Sequence, residues 1–381
     1  MYTDHTLLEK KIISKINRFN INNKQNIELK KLFKGQNLLI YGAAGSIGSV
    51  FTLNILKYNF KKIYLLDKNE NQLVELNRSI ILKNKKKNDM IEYICSDINK
   101  FKLNSFLREK KINIFLNFAA IKHVRSEEND YTLNYMFETN CKSCFEFKPA
   151  KFLKKVFFIS TDKACNPSSI MGASKNLMEQ ELFNKKKSYN RVFFSTVRFA
   201  NVSFSNGSVL KMIIDKIESK EDFGVPENIY RYFITHQEAV SLCMKSLLNA
   251  ADGMVLVPRK SILKDQLSIV LLLKKILKIH KIKYRVSKKK FITKYFKVNL
   301  TKNKIIGQKE KEELFNKSEI KKITKLDNST ILIKTKLDKA KIKFLKNFKA
   351  KLSKKNIKEK FKIYFNNIKT SDIGYKISKN L

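Results

Sequence analysis

Along the chain, short continuous apolar runs alternate with stretches whose apolar residues recur at helical spacing. The runs are NLLIY (37–41), KKIYLLD (61–67), IEYICSD (91–97), INIFLNFAA (112–120), KVFFIST (155–161) and RVFFSTVRF (191–199). Each is short and rich in β-branched and aromatic residues, so each predicts a strand. Continuous apolarity, rather than strict alternation, marks strands covered on both faces. Segments such as SVFTLNILKY (49–58) read as the covering helices. The pattern predicts an α/β fold, a doubly wound parallel sheet. Before it, residues 1–34 place Leu7, Leu8, Ile12, Ile13 and Ile16 at helical spacing and predict a helical lead-in. After about residue 200 the pattern loosens, and from Lys260 lysine becomes dense while Gly and Pro nearly vanish.

The turn after the first strand, YGAAGSIGS, holds Gly42, Gly45 and Gly48, with Ala44, Ser46 and Ile47 between them. Such glycines permit a tight turn and let backbone amides approach a pyrophosphate. The following helix adds its N-terminal partial positive charge. The second strand ends in Asp67, where a carboxylate accepts hydrogen bonds from adenosine ribose hydroxyls and repels a 2′-phosphate. The expected cofactor is therefore NAD rather than NADP. Asp97 and Ile98 end the third strand on the adenine side. Ala119 and Ala120 end the fourth, where small residues let backbone lie against the cofactor. The expected organisation has four parts. Residues 1–34 are the lead-in. Residues 35–200 form an NAD-binding Rossmann domain, to which 228–257 returns. Residues 201–227 and 258–335 form a smaller C-terminal substrate-binding part. Residues 336–381 are a Lys-rich helical tail.

Composition changes this picture little. Hydrophobic residues make up 43% of the 381, enough for a packed core, so disorder throughout is excluded. The net charge of +45 would suit nucleic acid or an anionic membrane. Its excess is scattered lysine accompanied by much Asn, Ile and Phe, the mark of AT-rich codon usage on tolerant surfaces. No nucleic-acid partner is expected. A basic amphipathic segment, KAKIKFLKNFKAKL (339–352), offers peripheral membrane contact, against the plainer reading of a helix packed on its own domain. Five cysteines, with one CxxC at Cys141 and Cys144, suggest reduced thiols and no metal site. The N-terminus lacks a signal-peptide core, and the run LSIVLLLKKILKI from Leu267 is broken by lysines too early to span a bilayer. A cytoplasmic protein is expected.

The segment TDKACNPSSIMGASK (161–175) ends with the spacing of a Y-x-x-x-K pair, in which a lysine tunes a proton-moving tyrosine. Lys175 is in place, but the tyrosine position holds Met171, whose thioether neither gives nor takes a proton. With LLDKNENQL, FAAIKHV, RFANVSFSNGSV and RYFITHQEA in the same order, the chain resembles extended short-chain dehydrogenases/reductases of the polysaccharide-biosynthesis type, the UDP-N-acetylglucosamine 4,6-dehydratases. The likeness runs from about Lys34 to Val257, and GQKEKEEL (307–314) is a fainter echo.

The resemblance implies a nucleotide-sugar substrate, bound NAD, a homo-oligomer and a place in surface-glycan synthesis. It implies catalysis by Thr161, Asp162, Lys163 and Lys175. Asp162, kept protonated by burial, would be the acid at C6; Lys163, made partly neutral by desolvation, the base at C5. Thr161 would relay the C4 proton, and Lys175 would hold the nicotinamide ribose. Met171 would shape the pocket. Lys122 would contact cofactor or sugar, and His123, Asn201, Ser208, Val209 and Arg231 would lie on the substrate side, with Arg231 on the diphosphate. Two departures stand out. KHVRSEENDYTLNYMFETN has extra residues before Asn140, and the chain after Lys260 has diverged. An epimerase or reductase on the same fold is the nearer alternative, although it would want a tyrosine at position 171. A non-catalytic Rossmann module with a nucleic-acid- or membrane-binding tail is the other.

Overall fold

The six apolar runs form strands β1 (Asn37–Tyr41), β2 (Lys62–Asp67), β3 (Ile91–Cys95), β4 (Ile114–Asn117), β5 (Lys155–Ile159) and β6 (Phe193–Val197). The computed structural model describes residues 5–127, 129–249, 253–287, 296–301, 309–320, 323–335, 337–343 and Phe361. Three later strands, β7 (Met254–Pro258), β8 (Ile323–Lys325) and β9 (Thr330–Lys334), join the same sheet. The strand order is β8-β9-β7-β6-β5-β4-β1-β2-β3. Strands β1 to β7 are parallel, and β9 and β8 add antiparallel pairs at one edge. This is the Rossmann arrangement. The order reverses between β1 and β4, so a crevice opens beyond their carboxyl ends, the place where such sheets bind ligands.

The stretch expected as one substrate-binding part, 258–335, is divided. Helices Val209–Glu218 and Ile269–Ile279 pack Leu210, Ile213, Leu272 and Ile276 over a three-stranded sheet of 223–226, 284–287 and 296–301, forming a separate apolar cluster. Residues 323–335 instead extend the nucleotide-binding sheet. The segment TILIK pairs its full length with β7 and buries Ile331, Leu332 and Ile333. It covers the edge that β7 would otherwise expose.

The lead-in spans both units. Leu8 and Ile12 of helix His5–Ile12 join the second cluster, while Leu29 and Phe33 of helix Asn23–Phe33 join the main core. Between them, Arg18 binds both carboxylate oxygens of Glu238, at 2.7 and 2.9 Å, and the Phe233 carbonyl at 2.8 Å. Glu238 is fully buried and also accepts the Thr235 amide at 2.9 Å. Arg18→Ala strands that carboxylate. The expected loss is about 3 kcal/mol, read as the shift in urea midpoint at constant m-value. Of the amphipathic tail segment, Leu345, Phe348 and Leu352 lie outside the described residues. Phe361 is buried against Phe137 and its neighbours.

Candidate active site

Strand β5 runs its buried side chains to Ile159 and then releases the chain into a single 3-10 turn, Asp162–Ala164, capped by Thr161. Helix Ile170–Ser188 begins just beyond, with the Ser169 hydroxyl accepting the Gly172 amide at 3.2 Å. A Cβ on Gly172 would overlap the Lys163 carbonyl, so this glycine lets the helix sit directly on the turn. Asn176 fixes the contact by donating to the Ala164 carbonyl at 3.0 Å. Beneath lies a buried ionic network. Arg198 donates to Glu179 at 2.6 Å and to Glu319 at 3.0 Å, and Ser160 donates to Glu179 at 2.6 Å. The turn is thus rigidly mounted.

Thr161, Asp162 and Lys163 meet as expected. The Thr161 hydroxyl donates to Asp162 Oδ1 at 2.8 Å, and Lys163 Nζ donates to the same oxygen at 2.9 Å. Asn201 accepts from Lys163 Nζ at 3.1 Å, so this expected substrate residue holds the lysine. Asp162 is 1% exposed, and its Oδ2 has no hydrogen-bond partner among the described residues. Burial pulls the Lys163 ammonium down, but the Asp162 and Glu312 carboxylates outweigh it and raise the group above the ordinary lysine value. Asp162 and Lys163 stand at ion-pair distance, 2.9 Å apart.

Glu312 is the residue the sequence did not single out. It is 5% exposed and lies 3.8 Å from both Lys163 Nζ and Arg231 Nη2. Burial first of all pushes its carboxyl up, with Asp162 adding to the rise and Lys163 and Arg231 opposing it. The echo GQKEKEEL was the only signal that could have found it. Arg231 lies in the same place. Its guanidinium donates at 2.7 Å to the carbonyls of Tyr230, Lys309 and Glu310, and it is 3% exposed. Those donors hold the chain that carries Glu312.

Lys175 is buried and donates to the Ile159 carbonyl at 3.1 Å. Burial lowers it to about 8. A lysine whose folded value lies below its ordinary 10.5 costs stability while charged, so stability rises with pH between about 8 and 10.5. The check is the difference in unfolding free energy between wild type and Lys175→Met, which should shift toward the wild type across that window. Lys122 donates to Ser205 at 3.1 Å, and its side chain lies on the exposed side of the site. His123 packs its ring where a Cβ on Gly207 would sit. Met171 is buried, and its amide donates to Glu127 at 2.7 Å. Ser208 caps the helix that Val209 opens, accepting the Lys211 amide at 3.2 Å.

The cofactor side fits a dinucleotide. Gly42 has φ +72°, and a Cβ there would overlap Ala119, so the loop lies directly on the end of β4. Helix Ser46–Ile55 starts at Gly45 with no side-chain cap, leaving the first amides, including those of Ser46 and Ile47, facing the crevice end. Asp67 accepts the Ala44 amide at 3.0 Å and the Asn69 amide at 3.1 Å, tying the loop to β2. Each carboxylate oxygen keeps a lone pair for a ribose hydroxyl. Asp97, next to the buried Ile98, accepts from Tyr135 at 2.7 Å, and Lys68 donates to that hydroxyl at 3.1 Å. Tyr135 lies in the stretch with extra residues. That stretch ends in a π-helical turn, Glu138–Lys142, the form an insertion takes inside a helix. Asn140 on this turn bonds both the amide and the carbonyl of Ile121, just after Ala120. Cys141 and Cys144 are buried there, and among the described residues no cluster could hold a metal. No described helix is long and apolar enough to cross a membrane.

Three relatives frame the chain. A Methanocaldococcus jannaschii protein named as an uncharacterized membrane protein is 29% identical over 64% of this chain and 73% of its own length. The capsular polysaccharide biosynthesis protein CapD of Staphylococcus aureus is 32% identical over 58% of this chain, and the match spans only 37% of that protein. An inverting UDP-N-acetylglucosamine 4,6-dehydratase of Campylobacter jejuni is 28% identical over 60% of this chain and 68% of its own. Among solved structures, Pen from Bacillus thuringiensis aligns at TM-score 0.67 and 24% identity, covering 80% of this chain and 89% of Pen. The Bordetella bronchiseptica enzyme WbmF, solved with NAD+, aligns at 0.51 and 17% identity over 66% of this chain and 80% of its own. Both show a shared fold. Residues 38–335 match the family described as polysaccharide biosynthesis protein, and with that span covering well over half of its length the chain belongs to this family.

Proposed function

We propose that the protein is an NAD-dependent nucleotide-sugar 4,6-dehydratase acting on a UDP-linked N-acetylhexosamine, with UDP-N-acetylglucosamine as the first candidate. The product is a 4-keto-6-deoxy sugar for glycan synthesis. The observation that carries this reading is the Thr161–Asp162–Lys163 cluster, mounted where a tyrosine-based site would act, with methionine at position 171. NAD, when bound at the glycine loop, would supply the hydride chemistry: acceptor in the oxidation at C4 and donor in the reduction at C6.

The chain's own residues move the protons. Thr161 takes the C4 hydroxyl proton and passes its own along the 2.8 Å bond to Asp162. Asp162, now a neutral acid, protonates the C6 hydroxyl, which leaves as water. Lys163, once freed of its extra proton, removes the C5 proton that the C4 ketone has made acidic. Lys175, beneath the site, keeps the local potential positive. An epimerase needs a proton-moving group at C4 but no acid at C6, so a carboxyl placed behind the C4 relay favours dehydration.

The test is mass spectrometry of UDP-N-acetylglucosamine incubated with purified protein and a catalytic amount of NAD+. Loss of one water without net NADH is the expected result. An unchanged sugar would remove this substrate and send the question to GDP- and dTDP-linked sugars.

A further inference from the structure

Glu312 is held by more contacts than a surface strap requires. Tyr230 donates its amide to the Glu310 carbonyl at 3.0 Å, and Gln266 donates to the Glu312 carbonyl at 3.1 Å. Lys309 donates to the Cys165 carbonyl at 3.1 Å, and Asn166 donates to Glu313 at 2.9 Å. Leu314 is fully buried in the main core. With Arg231, both units of the protein pin this one segment, and the pinning places a carboxylate within 3.8 Å of Lys163. That carboxylate accepts no hydrogen bond from the described residues, and its Oε2 is buried without a partner among them. A buried ionic oxygen left so costs free energy unless the working site uses it.

The proton count gives it a use. If dehydration proceeds as proposed above, on which this inference rests, two protons must be housed before C5 is attacked. One comes from the C4 hydroxyl through Thr161, and Asp162 takes it. The other is already on Lys163, and Asp162 cannot hold both. We propose that Glu312 is the acceptor for the Lys163 ammonium proton, a positioning residue that frees the amine to act at C5. The Lys163 N–H bond breaks and a Glu312 O–H bond forms, converting an ammonium and a carboxylate into an amine and a neutral acid. The C5 proton then enters the amine, whose other N–H positions carry solvent hydrogen; one hydrogen of the resulting ammonium later returns to carbon, after which Glu312 gives its proton back. A lysine side chain moving by about 1 Å brings the pair to hydrogen-bond distance.

The experiment compares wild type, Glu312→Gln and Glu312→Asp, each loaded with NAD, with UDP-N-acetylglucosamine in deuterated water. Mass spectrometry reads water loss and deuterium at C5. Glu312→Gln is expected to lose both by about 100-fold or more, with KM within a few-fold of wild type. Glu312→Asp keeps an acceptor and should retain more activity than Gln. Deuterium at C5 at the wild-type rate in Glu312→Gln, or equal rates for Gln and Asp in folded proteins, would overturn the proposal. A second readout needs no turnover. NMR of isotope-labelled lysine, with Lys163 assigned through Lys163→Met, should show Lys163 titrating at lower pH in Glu312→Gln. A wild type that dehydrates no nucleotide sugar removes the reading beneath. The titration then decides on its own, and an unmoved Lys163 overturns the pairing.

Discussion

Asp162→Asn should lower water loss from the nucleotide sugar by about 100- to 10,000-fold, the range that removal of a general acid produces. The amide is nearly isosteric with the carboxyl, and its oxygen can still accept from Thr161 and Lys163 at the distances of 2.8 and 2.9 Å seen for Oδ1. Folding and cofactor retention should therefore survive. What disappears is the ability to take a proton from Thr161 and give it to a leaving hydroxyl. The measurement is product formation by mass spectrometry, with thermal unfolding as the control. Thr161→Val separates the two halves of the role. It removes the relay and leaves the acid, so it should slow oxidation at C4 and reduce turnover less than Asp162→Asn. Unchanged turnover in Asp162→Asn would remove the carboxyl from the chemistry and leave the Asp162–Lys163 pair as a structural ion pair.

The same pair shows how far a sequence can be read. TDK, MGASK and the glycine loop are local, so their residues lie close together in the chain and meet through one turn or one helix start. Their grouping was legible, but the role of Gly172 in seating the helix on Lys163 emerges only from the structure. The protonation of Lys163 was not legible. Burial alone predicts a lysine driven toward neutrality, and the opposite direction comes first from the neighbouring Asp162 and then from Glu312, far along the chain. Arg231 illustrates the same limit. An arginine near a nucleotide-sugar site reads as an anion ligand, but its actual partners are three backbone carbonyls, and carbonyls carry no sequence signature. Strand β9 was missed for a third reason. TILIK has only three consecutive apolar residues within a lysine-rich region, and only the open edge of β7 gives it a place in the sheet.

Gly48→Ala should cost NAD affinity about 5- to 150-fold, the effect of 1–3 kcal/mol of overpacking passed directly to the binding loop. A Cβ at this position overlaps the Gly42 carbonyl and presses on Ala43. Both neighbours are backbone, so no side-chain rotation relieves the contact. The start of helix Ser46–Ile55 must move away from the turn, and the uncapped amides that would face the pyrophosphate move with it. The measurement is the NAD-dependent rise in unfolding temperature, which follows ligand concentration over Kd and so reports affinity apart from turnover. The control is Gly253→Ala. Gly253 also has positive φ, +67°, but a Cβ there meets nothing within 4 Å. That variant should lose stability through backbone strain and keep its response to NAD. If Gly48→Ala keeps the wild-type response as well, the loop does not hold the cofactor by close backbone approach, and the glycine serves only the packing of helix against strand.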